Sequence, residues 1–263
     1  MSDDEAETTE QAWRTVARIS GYVAGSCFLA GTVLYLLDAL DAFGQSPTPQ
    51  QTGAGELQDE ANFWVAAFAH RHHLLWNVIC RDTLFPLAFM ALIALILATR
   101  KLAATERPEA HLMETFFIIG GTISALSDLI FLAGSDYWRP TEWSAVPAER
   151  MVAVGRSAEA LGALTRWPEA AGFVVLAFGL ACLGRLCHLR TELPSRLALF
   201  AYGEGLLLLG IAVAGVAEAD TAYNIFSLLT GALFGPLVAV WLGWHLGQTV
   251  SAAKIAETAT DPI

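Results

Sequence analysis

Six apolar runs divide this chain, at 19–40, 83–98, 112–133, 172–183 with its flanks, 197–217 and 223–247. A helix needs about 20 apolar residues to cross the hydrocarbon core of a bilayer, and most of these runs reach or approach that length. The pattern predicts an all-α fold: a polytopic membrane helix bundle of about six transmembrane helices. Polar links separate the runs. Two links on one side are long enough to carry one or two interfacial helices.

The first long link opens with a Pro-, Gly- and Gln-containing stretch at 45–55, which reads as loop. From Asp59 it turns helical. The second runs from Ser135 to Trp167. Pro147 suits the first turn of a short helix continuing through Arg156, and Pro168 suits the opening of the fourth span. Links this long are usually functional or tied to a partner. Pro86 and Pro236 predict kinks in the second and sixth spans. Gly21 and Gly25, Gly231 and Gly235, and Gly243 and Gly247 are each four apart. That spacing lets helices approach closely within a bundle.

Composition places the chain in lipid. Hydrophobic residues make up 55% and charged residues 16%, too few charges for a soluble domain of this size. The expected organisation is an acidic disordered cytoplasmic tail at 1–18, a single transmembrane bundle at 19–247 and a cytoplasmic tail at 248–263. The first run is long and lacks a small-x-small cleavage site, so it reads as a membrane helix and not as a cleaved signal. A net charge of −11 excludes a nucleic-acid partner, because phosphate contacts need a basic face. The expected partners are the lipid bilayer and either protein subunits or further copies of the chain.

Lys and Arg set the expected orientation. With the N-terminus inside, nine of the 15 basic residues fall in short inner segments and six in the longer outer ones. This favours a plasma-membrane (cell inner membrane) protein with both termini cytoplasmic. Cys27, Cys80, Cys182 and Cys187 form no Cys-x-x-Cys pair and read as small packing residues.

Ionisable residues inside the spans carry whatever chemistry the chain has, since they are costly in lipid and face the interior. An outer group comprises Asp38, Arg81, Asp82 and Asp128. It reads as an Arg-centred cluster, serving either as a clamp or as a binding site. His70, His73, Asn77 and Arg81 are spaced to share one face of a continuous helix. An inner group centres on Glu204, about two turns into the fifth span between Gly203 and Gly205. Its candidate partners are His111 and Glu114, or else Arg185, Arg190 and the histidines at the inner rim.

Several chemistries fit poorly. The run His70-Arg71-His72-His73 is similar to one histidine box of membrane desaturases, which need several. His70 and His73 can bind a metal only with further ligands, which Asp38, Asp82 or Asp128 would have to supply. No bis-histidine haem pattern, retinal-type lysine, nucleophile elbow, P-loop or His-Glu-x-x-His motif is present, and no cofactor is specified.

The stretch from Cys182-Leu183-Gly184-Arg185 through Leu193-Pro194-Ser195-Arg196-Leu197-Ala198 resembles the fourth-to-fifth-span link of an uncharacterised family of six-span bacterial integral membrane proteins. The ending from Phe234-Gly235-Pro236 to Trp241-Leu242-Gly243 is similar to that family's last span. The likeness covers the C-terminal third and implies the six-span architecture alone. The long outer links depart from the family's compact pattern. Two functions stay open: a non-enzymatic binding, transport or membrane-complex subunit role using interior charges, or a membrane metalloenzyme with an outward His/Asp site.

Overall fold

The computed structural model describes residues 3–40, 42, 57–73, 75–103, 106–135, 145–190 and 193–258. At 3, 4, 6, 39, 71, 73, 75, 76, 134, 135 and 249–258 only the backbone is described. The loop expected at 45–55 lies outside these residues. Among the described residues the fold is all-α. In chain order the helices are α1 (Asp3–Ala39), α2 (Leu57–His73), α3 (Leu75–Leu102), α4 (Pro108–Ser135), α5 (Ala148–Leu189), α6 (Leu197–Val216), α7 (Asp220–Leu229) and α8 (Gly235–Thr258). A π-helical turn at Thr230–Phe234 joins α7 to α8.

Six helical segments are long and apolar enough to cross a membrane, within α1, α3, α4, α5, α6 and the α7–α8 unit. The chain is therefore an integral membrane protein. Six crossings put both helical ends of the bundle, α1 and α8, on one side, here termed the terminus side. The opposite side, with α2 and the outer part of α5, is the loop side. Each span packs on the next, and the ring closes where α8 meets α1 and the α7–α8 unit meets α6. Large apolar side chains face outward, among them Leu199 at 74%, Leu206 at 70% and Val213 at 69% exposure. In water this would be costly, whereas in lipid it is the surface a bundle needs.

Small residues set the closest contacts. Gly21 and Gly243 face each other across α1 and α8, beside Ala17, Ala24 and Ala239, all fully buried. A Cβ on Gly21 would lie 2.6 Å from the Ala239 carbonyl oxygen, and one on Gly243 would lie 2.7 Å from that of Ala17. The glycine spacing in the sequence thus serves contacts within one chain. At the α4–α5 crossing, a Cβ on Gly120 would lie 2.8 Å from the Gly172 carbonyl.

Two expectations need correction. Residues from Asp3 onward are helical, so the acidic tail extends the first span. Glu10 pairs with Arg14 one turn on, and acidic residues suit a helix N-terminus. Second, α5 is one helix of 42 residues, about 63 Å at 1.5 Å per residue, twice a bilayer core. Pro168 therefore lies inside it and opens nothing. The expected stripe of His70, His73, Asn77 and Arg81 crosses residue 74, which lies outside the described residues. The α2 helix packs on the loop-side part of α5. Ala61, Phe68, Met151 and Val152 are buried there, with Trp64 beside them over Gly155. Arg156 adds two hydrogen bonds of 2.9 Å to Glu60. This contact fixes α2, whose own polarity is mixed.

Candidate functional site: a charged vestibule and an aromatic chamber

The terminus side of the bundle is tied by ion pairs at its rim. Arg100 on α3 pairs with Glu114 on α4. Arg185 Nε lies 3.0 Å from Glu109 Oε1, and His111 Nε2 lies 3.3 Å from Glu106 Oε2. Arg14 donates to the Leu246 carbonyl at 3.0 Å, and Arg190 to that of Ala103 at 3.2 Å. His111 and Glu114 thus have partners of their own, and neither lines the space around Glu204. The inner group expected from sequence does not assemble.

On the loop side the charges turn inward. Arg81 donates from Nε to Asp82 Oδ1 at 2.9 Å and from Nη1 to Asp38 Oδ2 at 3.2 Å. Its guanidinium carbon sits 5.9 Å from the centroid of the Tyr35 ring. Two of the three expected aspartates thus gather on one arginine, joining α1 to α3. Asp128, on α4, forms no ion pair with it. Asp82 is 6% exposed, and its second oxygen has no hydrogen-bond partner.

Tyr35, Arg81 and Asp82 border a cavity of about 580 Å³ that also takes in Asp128, Arg166, Glu169, Asp220, Tyr223 and Asn224. A narrower chamber of about 120 Å³ adjoins it. Tyr35, Phe85, Asp128, Glu169, Phe173, Ile211 and Tyr223 line both, and so mark the junction. The chamber wall is aromatic: Phe28, Phe85, Phe89, Phe117 and Phe173 all face it. Phe28 and Phe89 meet edge to face at 5.4 Å. At the junction the Tyr223 hydroxyl lies 3.4 Å from Glu169 Oε1, and the Tyr35 hydroxyl donates to Asn224.

Glu204 lies farther along the chamber. It is seven residues into α6, about 10 Å from that helix end, and 5% exposed. Thr230 is the polar side chain beside it, yet neither Glu204 Oε2 nor Thr230 Oγ1 completes a hydrogen bond. A buried carboxyl oxygen without a partner is costly and marks a candidate functional position. The chain makes room for it at the π turn. The Gly235 N–H donates to the Thr230 carbonyl, five residues back, and Pro236 brings no N–H to continue an α ladder. A Cβ on Gly235 would sit 3.3 Å from Glu204 Oε1.

Neither His70 nor His72 lines the cavity. His70 is half-buried, with Nε2 unbonded, and His72 is exposed. The His73 side chain lies outside the described residues. Among those residues, no three His, Cys, Asp or Glu side chains are placed to hold a metal ion. Of the acids that would have to complete such a site, Asp38 and Asp82 are held by Arg81, and Asp128 lines the two cavities, which neither His70 nor His72 borders.

The sequence hides Glu169 because Pro168 suits a helix start, whereas it lies inside α5. Read through the proline, Thr165, Glu169, Gly172, Leu176 and Leu180 recur every three or four residues and form one inward stripe. Phe28, Thr32, Tyr35 and Asp38 do the same on α1. No family model matches the chain, and neither a curated protein nor a solved structure matches it.

Proposed function

We propose that this chain is a non-enzymatic binding or transport protein of the plasma membrane, with both termini cytoplasmic. It takes a small ligand into the bundle from the loop side. One observation carries this reading: two adjoining cavities run from a charged vestibule to Glu204, whose Oε2 has no hydrogen-bond partner, and every span contributes to their walls. A clamp would bring opposite charges together and exclude space, as the terminus side does. Here Asp128, Glu169 and Glu204 border open volume with no cation paired to them among the described residues. Ligand sites are commonly concave, apolar spaces with a few convergent polar groups. Lipid and further protein copies or subunits are the expected neighbours.

Purified protein in nanodiscs, screened by thermal shift against small cations, anions and neutral molecules, tests the reading. Wild type should be stabilised by at least one class. Ser227→Trp, which fills the chamber from α7, should fold and lose that response. A wild type that answers to no class, or a filled variant that keeps the response, would overturn it. Orientation is tested separately in a Cys80→Ser background, because Cys80 is exposed. An impermeant maleimide should label Ala145→Cys in intact cells and leave Glu106→Cys untouched. The reverse pattern would invert the topology.

A further inference from the structure

We infer that the ligand is a small monovalent organic cation, an ammonium on an apolar body. It would sit with its charge between Asp128 and Glu169 and its body in the phenylalanine chamber. The inference rests on the binding reading above and adds the substrate class.

Three observations point the same way. The first is charge. Across the two cavities, Asp82, Asp128, Glu169, Asp220 and Glu204 face Arg81 and Arg166. Both arginines are engaged, Arg81 by Asp38 and Asp82 and Arg166 by Glu218 at 3.9 Å. No cation is paired with Asp128, Glu169 or Glu204 among the described residues. A cation favours the ionised form of these carboxyls and is neutralised by it, whereas an anion meets no uncommitted arginine there among the described residues.

The second is the wall. Five phenylalanines and two tyrosines border the chamber. Aromatic faces attract a cation through their quadrupole, most strongly where water is excluded, and accept the apolar body as well. A hydrated metal ion gains little from such a wall. It prefers several oxygens in a closed shell, and no such group of side chains is present among the described residues.

The third is the orphan. Glu204 is 95% buried by its exposure of 5%, faces the chamber and lacks a hydrogen-bond partner for Oε2. A ligand reaching that depth meets an unsatisfied acceptor beside the Thr230 hydroxyl. The junction therefore recognises the charge, the aromatic wall holds the body, and Glu204 with Thr230 reads its far end.

The test uses three probes of one size on the full chain in nanodiscs: phenyltrimethylammonium, its neutral isostere tert-butylbenzene, and benzenesulfonate. Calorimetry and thermal shift should show binding of the ammonium alone. Asp128→Asn with Glu169→Gln should weaken it by about tenfold or more, about 1.4 kcal/mol. Phe173→Leu should weaken the ammonium and leave any residual binding of the neutral isostere unchanged. This second variant keeps the test informative if the double variant does not fold. Equal or tighter binding of tert-butylbenzene or benzenesulfonate, or ammonium binding indifferent to both variants, would overturn the cation assignment while leaving a binding protein. Binding of none of the three probes would overturn the cation assignment, and the broader screen above then decides whether the cavity binds at all.

Discussion

The two halves of this bundle use the same residue types to opposite ends. On the terminus side, Arg100, Arg185 and Arg190 meet carboxylates or carbonyls at the rim, and α1 presses against α8 with no room for a methyl group. On the loop side, Arg81, Asp82, Asp128 and Glu169 stand inside the ring around open volume. Charge alone does not identify a site. A charge at a sealed rim locks the bundle, and a charge beside an unfilled space can recognise something. The difference is set by small residues: glycines close one half, and aromatic and acidic side chains hold the other apart.

The sharpest way to break that contrast is to remove the Arg81 clamp on the loop side. Arg81→Ala leaves Asp82, itself 6% exposed, without its cation. The expected cost is about 3–5 kcal/mol, as for other buried pairs that lose one partner. Unfolding by SDS titration in mixed micelles measures it. Loss of less than about 1 kcal/mol would mean that the cluster is as wet and screened as a surface pair, and that the loop side has no clamp.

The glycines give the next contrast. Gly243→Val puts a side chain against the backbone of Ala17 and Gly21, where neither neighbour can yield. Overpacking of this kind costs about 1–3 kcal/mol. Gly162 on α5 borders the vestibule, and a Cβ there meets nothing within 4 Å. Gly162→Ala should therefore stabilise α5 by about 0.5–1 kcal/mol, the usual helix-propensity gain. The same titration reads both. If the two substitutions act alike, the sealed and open halves are not distinct.

Much of this was legible in the sequence, and the parts that were not have physical reasons. The spans follow from apolar runs of bilayer length, because backbone groups in lipid leave few alternatives to helix. Arg81 with Asp38 and Asp82 follows from charges lying at similar depth. Depth, however, does not fix rotation about the helix axis. Glu204 and Glu114 both lie in the terminus-side half of the chain's spans, yet Glu114 turns to Arg100 and Glu204 turns into the chamber. Proline misled in another way. Pro147 does precede a helix, whereas Pro168 sits inside the same helix, where tertiary packing outweighs the lost hydrogen bond. Among other contacts, Ser127 donates to the Thr165 carbonyl at 2.7 Å. The aromatic wall was unreadable for a simpler reason: phenylalanines that line a space and phenylalanines that fill one have the same spacing.

Glu204 sharpens the comparison further, because it should behave as the inverse of Arg81. Its second oxygen is orphaned, and an unsatisfied buried polar group costs about 1–3 kcal/mol. Glu204→Leu should thus raise stability by about 1 kcal/mol or more while weakening ligand binding. Glu204→Gln should leave stability within about 1 kcal/mol of wild type. A Leu variant that is both less stable and unaltered in binding would show that the carboxyl is satisfied in place and is part of the packing.

The smallest effect concerns the loop-side contact between α2 and α5, where a rim-type ion pair sits on the open half. Hydrogen bonds from Arg156 hold the Glu60 carboxyl below its ordinary value of 4.5. A depressed folded value means that the contribution is fully present above the unfolded value and is lost as pH falls through the folded one. Docking of α2 should therefore be constant from neutral pH down to about 4.5 and loosen below it. Hydrogen exchange along α2, corrected for the intrinsic pH dependence of exchange, measures this. Salt at about 0.5 M should loosen it in the same way, because the pair is solvent-exposed and a Debye length near 10 Å at 0.1 M shortens further. Glu60→Gln should remove both responses while Trp64 and Phe68 keep α2 in place. If wild type and Glu60→Gln loosen together as pH falls, the apolar contact of Trp64 with Gly155 fixes α2 alone, and the Glu60–Arg156 pair decorates a joint that packing has already made.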